Sequence, residues 1–173
     1  NIDYGSLKPN WPEKFYIFWT NKDEGDCISG NISHWPAALE VIVVWATDNS
    51  GDPSTIRTTR YAFDRCSGRN NNFEEADNAS FSLGGHDLKS RNKSSISITN
   101  GIFVRVTPIY KSSIIAISAC DTNGASCADP PLPSQGYKIT STGTSGVASR
   151  KLEIFKIYPQ VFLPYTYGLF VPN

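Results

Sequence analysis

Methionine is absent from all 173 residues, position 1 included. That is expected of a chain whose original start has been trimmed away. No run reaches the roughly 20 apolar residues that a membrane-crossing helix needs; the longest, Val41 to Ala46, is strand-sized. Excess charge is missing too. Sixteen basic residues balance sixteen acidic ones, so bulk charge calls for neither nucleic acid nor a membrane surface as a partner. Histidine occurs twice, as His34 beside Trp35-Pro36 and as His86 in Gly84-Gly85-His86-Asp87. There is no Cys-x-x-Cys, no His-Glu-x-x-His pair, no Gly-x-Ser-x-Gly elbow and no phosphate-cradling glycine loop. No catalytic residue, metal ligand or cofactor is therefore expected.

Weaker chemical signals have ordinary structural explanations. Glu40 and Glu153 lie in strand-like stretches and are expected on solvated faces rather than as a glycosidase pair. Asp48-Asn49-Ser50-Gly51-Asp52 and Asp121-Thr122-Asn123-Gly124 gather oxygen atoms around a glycine, but neither matches a twelve-residue calcium loop. They are expected to be turns. Arg57, Arg60, Arg65 and Arg69 interleave with Tyr61 and Phe63, which without a basic balance reads as a solvated strand face. Asn-x-Ser sequons at Asn31, Asn78 and Asn92 are about as many as thirteen asparagines and thirty-two hydroxyl residues give by chance.

What remains is a strand-rich pattern. Short β-branched and aromatic runs recur between clusters of Gly, Asn, Asp, Ser and Pro. They cover Phe15 to Thr20, Leu39 to Thr47, Thr55 to Asp64, Ser94 to Thr99, Ile102 to Thr107, Ser113 to Ala119, Tyr137 to Thr142 and Val147 to Tyr158. Leu39 to Thr47 is apolar on both faces, so it is expected at the centre of a sheet. Ile102, Val104 and Val106 alternate with Arg105 and Thr107, as in a strand with one buried face. Asn49 to Pro53 predicts a hairpin turn, and Gly143 to Gly146 predicts another. Phe73 to Ala79 and Ser33 to Leu39 are the only stretches that suggest a helical turn. The fold class expected is mainly β: one antiparallel domain over residues 1–173, with an irregular leader over 1–14 and an aromatic, proline-rich tail over 159–173.

The four cysteines allow three connectivities. Short separation favours Cys120 with Cys127, which leaves Cys27 and Cys66 for a longer bridge. Disulfides imply an oxidising, extracytoplasmic setting. Trp19 and Trp45 are expected in the core, whereas Trp11 and Trp35 precede prolines in irregular segments. Charge is unevenly spread: residues 1–52 hold eight acidic and three basic side chains, a balance of −5. Residues 88–120 hold Lys89, Arg91, Lys93, Arg105 and Lys111 with no acid. The two stretches are expected to be ordinary solvated faces; the sharper reading is self-complementary ends, as in a subunit that stacks head to tail.

Several segments resemble the globular head of a bacterial type IV pilin-like protein of the minor-pilin kind. The similarity lies in Leu39 to Cys66, which ends RTTRYAFDRC, in GIFVRVTPIY from Gly101, in Pro133 to Tyr158, which closes on SRKLEIFKIYP, and in the terminal PQVFLPYTYGLFVP. Members of that family carry a cleaved leader and a long apolar N-terminal helix with an early glutamate. Neither is in this sequence, as expected of a head whose membrane link lay in that helix. The family's disulfide loop lies near the C-terminus, whereas Cys120 and Cys127 lie some fifty residues from it. The resemblance implies a non-enzymatic structural or adhesive subunit at the cell surface. Its partners would be other pilin subunits and a surface glycan or protein receptor. The candidate contacts are Trp11, Trp35, Phe162, Tyr165, Tyr167 and Phe170. A secreted domain that binds carbohydrate or peptide is the alternative.

Overall fold

The computed structural model describes residues 14–21, 25–27, 32–83, 85–119, 136–146 and 148–157. The chain divides into two compact units, Asn1–Leu132 and Pro133–Asn173. The first contains an eight-stranded sheet: β1 Lys14–Thr20, β2 Ala38–Ala46, β3 Ile56–Asp64, β4 Glu74–Leu83, β5 His86–Asn92, β6 Ile96–Ser97, β7 Gly101–Ile109 and β8 Ile114–Ser118. The ladder runs β6–β1–β5–β4–β3–β2–β7, with β8 on the other edge of β1. Edge strands β7 and β8 stand at opposite ends of this order, yet only residues 110–113 separate them. A link that short reaches at most about 17 Å, so the sheet curls until its ends approach.

The curl encloses the core, and strand alternation decides what enters it. Phe15, Ile17 and Trp19 of β1 meet Leu39, Val41 and Val43 of β2, Phe63 of β3, and Ala76, Ile96 and Ile98. Each large side chain buried there stabilises the fold by about 1.5–3 kcal/mol. The Trp19 indole N–H donates to the Ala37 carbonyl (2.7 Å), so its one polar atom is satisfied. Val104 and Val106 also pack inward, directly opposite Val43 and Val41, while Arg105 and Thr107 lie in the outward positions. Strand β2 is central, between β3 and β7, as its two apolar faces predict.

Strand β1 is the more deeply covered of the two. Its other face places Tyr16 and Phe18 with Leu88 and Ala116, and Phe81 stacks on Phe18 at 4.6 Å between centroids. A break in register between Asn78 and Phe81 lets β4 and β5 change course there. This is where the structure corrects the sequence most. Phe73 to Ala79 is expected to contain a helical turn, but Glu74–Leu83 is a strand. Ser33 to Leu39 resolves into a short 3-10 turn, Ile32–His34, followed by β2 from Ala38.

The sheet is mixed rather than wholly antiparallel, because β3 and β4 pair in parallel through Phe63↔Glu74 and Asp64↔Glu75. A parallel neighbour ordinarily needs a long crossover. Here residues 65–73 make a loop that leaves the end of β3 and returns beside it. Only the last two residues of β3 are paired, and β4 then runs on to join β5.

The second unit contains a two-stranded hairpin, β9 Gly136–Ser145 and β10 Ala148–Ile157. Its register is unbroken from Ala148↔Ser145 to Ile157↔Gly136. The reversal therefore falls after Ser145, not across Gly143 to Gly146. Gly146 has φ +56°, a left-handed value that glycine adopts without strain.

Candidate functional site

Among the described residues of the first unit, the loop between β3 and β4 carries the most organised polar cluster. Asp64, buried at the end of β3, accepts from the Cys66 amide (2.8 Å), from Arg69 Nη1 (2.6 Å) and from Asn71 Nδ2 (2.8 Å). Arg69 also donates to the Pro36 carbonyl. Its guanidinium carbon lies 5.4 Å from the Trp35 ring centroid and 4.6 Å from that of Tyr110. Two aromatic faces around a cation would suit a quaternary ammonium ligand, but the chain's own arginine fills the space. Tyr110 holds its place at φ +72°, a strained value for a bulky residue. Gly68 approaches Trp35 so closely that a Cβ would lie 3.0 Å from the ring.

A disulfide closes this corner. Cys27 and Cys66 are bonded across 39 positions, which by the chain-entropy account stabilises the fold by about 4 kcal/mol. The Gly25 amide donates to the His34 carbonyl (2.7 Å), and Arg65 donates to the Gly25 carbonyl (3.2 Å), so the segment beside Cys27 is held three ways. Cys120 and Cys127 lie outside the described residues.

The other features noted in the sequence are dispersed. Trp35 is only 5% exposed and faces Arg69, so it presents no open ring. Trp11, Phe162, Tyr165, Tyr167 and Phe170 lie outside the described residues. The four arginines do not form a stripe: Arg57 binds the Ser54 and Ile56 carbonyls, Arg60 lies 3.9 Å from Glu40, Arg65 reaches Gly25 and Lys89, and Arg69 is buried. In the β2–β3 turn, Asp48 accepts from the Ser50 amide and hydroxyl, and Asp52 from the Ser54 amide. These carboxylates cap the turn. Asn92, one of the sequon asparagines, is fully buried. Its side chain accepts from the Ile17 amide (2.7 Å) and donates to the Ser94 carbonyl (2.6 Å), which bridges the gap between β5 and β6 along β1. Among the described residues no helix is long and apolar enough to cross a membrane.

The hairpin is the surface that stands out. Alternation from its register puts Tyr137, Ile139, Ser141, Leu152, Ile154, Arg150 and Lys156 on one face. Tyr137 is 61% exposed, Ile139 53%, Leu152 59% and Ile154 49%. The opposite face carries the ion pairs, together with Phe155, which is 71% exposed. Glu153 lies 3.0 Å from Lys138 and 2.6 Å from Lys151, and the Lys138 ammonium sits 5.5 Å from the Phe155 ring centroid. The hydrogen bond from Lys151, and then that from Lys138, hold the Glu153 carboxyl below the usual carboxylate range. Arg150 and Lys156 have no carboxylate partner among the described residues. Residues 136–157 hold four basic side chains and one acidic, a balance of +3. The hairpin is thus a cationic ribbon with one apolar face.

The sequence places the candidate contacts at Trp11, Trp35 and the aromatic residues of the tail rather than on the hairpin itself. The signal for the ribbon was nevertheless present, in the alternation of Tyr137 with Ile139 and of Leu152 with Ile154. No family model, no curated protein and no solved structure matches the chain, so the likeness to pilin heads rests on the quoted residues alone.

Proposed function

We propose that this chain is a non-enzymatic structural or adhesive subunit of a surface filament, of the minor-pilin kind in a bacterial type IV pilus or a related fibre. The observation that carries this reading is the exposed apolar face of the hairpin. A two-stranded ribbon is marginally stable at best in water unless something packs on it, and a contiguous apolar patch with a polar rim marks an interaction surface. The disulfide-bonded corner supports an extracytoplasmic setting, where such bonds persist. The first unit supplies a rigid β head, and assembly proceeds by burying the ribbon against a neighbouring subunit.

The test is genetic. In cells that make the filament, removing this protein is expected to reduce filament number or adhesion, and the wild-type chain restores it. A variant with Ile139→Thr and Ile154→Thr is expected to be made and secreted but not to restore it. Normal assembly and retraction without the protein would contradict the proposal. A glycan array probed with the purified chain separates this reading from that of a secreted carbohydrate-binding domain.

A further inference from the structure

We infer that Asn78 is the acceptor of an N-linked oligosaccharide, a site that does not depend on the filament reading. The number of Asn-x-Ser sequons carries no weight, but burial separates them. Asn31 lies outside the described residues. Asn92 is fully buried, and both ends of its amide are in use. Its Oδ1 accepts from the Ile17 amide and its Nδ2 donates to the Ser94 carbonyl. A glycan on that nitrogen would displace the second bond and would have to pass out through the packed sheet.

Asn78 is the opposite case. It is exposed on β4, and so is Ser80, the hydroxyl residue of its sequon. Ala79 between them packs with Phe81 against the cluster of Phe18 and Leu88. Neither the Asn78 nor the Ser80 side chain has a hydrogen-bond partner among the described residues. The ladder pairs Asn78 with Ser90 and Phe81 with Leu88, which leaves one extra residue on β4. That bulge falls inside the sequon and takes Ala79 and Ser80 out of the regular ladder. The Cys27–Cys66 bridge supports an extracytoplasmic route, the side of the membrane on which oligosaccharides are transferred to protein. The transfer joins Asn78 Nδ2 to the anomeric carbon of a polyprenyl-diphosphate-linked oligosaccharide. The anomeric C–O bond breaks, the diphosphate leaves with its electron pair, and the amide nitrogen gives one proton to a base of the transferase. Where transfer precedes folding, Asn92 is open to it as well, but a molecule modified there cannot rebuild the bridge from β5 to β6 along β1.

The experiment secretes the intact chain from a host that carries an oligosaccharyl transferase and collects the folded protein. An amidase then removes N-linked glycans in heavy-oxygen water, which marks each formerly modified asparagine as a heavy aspartate for peptide mapping. The mark is expected at Asn78 in most secreted molecules and is not expected at Asn92. It disappears from Asn78 in Ser80→Ala, which leaves the asparagine in place, and it persists in Ser80→Thr, which keeps the hydroxyl. Both variants keep the wild-type unfolding midpoint, because Ser80 is exposed. An unmarked Asn78 in the folded protein would overturn the inference. So would equal marking of Asn78 and Asn92, because burial would then not be what selects the site. Neither result touches the filament reading, which rests on the hairpin.

Discussion

Ile139 and Ile154 stand directly opposite each other across the β9–β10 hairpin, and each keeps about half of its surface in water. Cross-strand aliphatic pairs stabilise a hairpin by a fraction of a kcal/mol. The larger gain from covering that face awaits whatever packs on it. The same two strands tie up their acidic residue on the reverse side. One ribbon thus has a self-satisfied face and an unsatisfied one.

Arg69 is expected to be the most sensitive charged residue of the first unit. Replacing it with Met leaves the buried Asp64 carboxylate without its cation, at a cost of about 3–5 kcal/mol. Urea unfolding of Arg69→Met against wild type measures this. A loss below about 1 kcal/mol would mean that the Asn71 and Cys66 donors suffice for Asp64.

Asn92 and Ser90, two positions apart on β5, should respond in opposite ways. Asn92→Ala leaves the buried Ile17 amide without its acceptor, costing about 1–3 kcal/mol. Ser90 is fully buried and its hydroxyl has no hydrogen-bond partner among the described residues, so Ser90→Ala is expected to be neutral or slightly stabilising. Denaturant midpoints of the two variants check the pair together.

These two residues also explain which strands could be read from the sequence. Strand β2 was legible because six apolar residues in a row, Val41 to Ala46, occupy most of it, and Asn49 to Pro53 announces the turn into β3. Strand β5 was not. Its inward positions are Leu88, Ser90 and Asn92, two of them polar, so the alternation that marks a half-buried strand is nearly erased. Paired acids at Glu74 and Glu75 gave β4 a helical look, although the chain there is held by ladders to β3 and β5 that no local pattern records. The Arg69 cluster was illegible for a related reason. It joins Pro36, Asp64 and Tyr110, which are brought together only when the sheet curls.

Loss of the Cys27–Cys66 bridge is expected to lower stability by about 4 kcal/mol. The double variant Cys27→Ala/Cys66→Ala, unfolded in urea beside wild type, provides the comparison. An unchanged midpoint would show that the Gly25–His34 and Arg65–Gly25 hydrogen bonds alone hold the corner.

The Glu153 carboxyl titrates below its ordinary value because Lys151 and Lys138 donate to it. Its folded pKa is lower than its unfolded one, so its contribution to the hairpin is present above an unfolded value of about 4.3. That contribution disappears as pH falls through the folded pKa. The effect is modest for exposed groups. Lys151→Met is expected to move the Glu153 titration upward, as read by carboxyl carbon NMR. An unmoved midpoint would assign the depression elsewhere.

Sedimentation velocity of the intact chain beside its Ile139→Thr/Ile154→Thr variant tests most directly whether the hairpin face is an assembly contact. Wild type is expected to associate with rising concentration at low salt, while the variant stays monomeric with an unchanged unfolding midpoint, because both side chains are exposed. Equal association in the two proteins, or a variant that unfolds, would contradict the account.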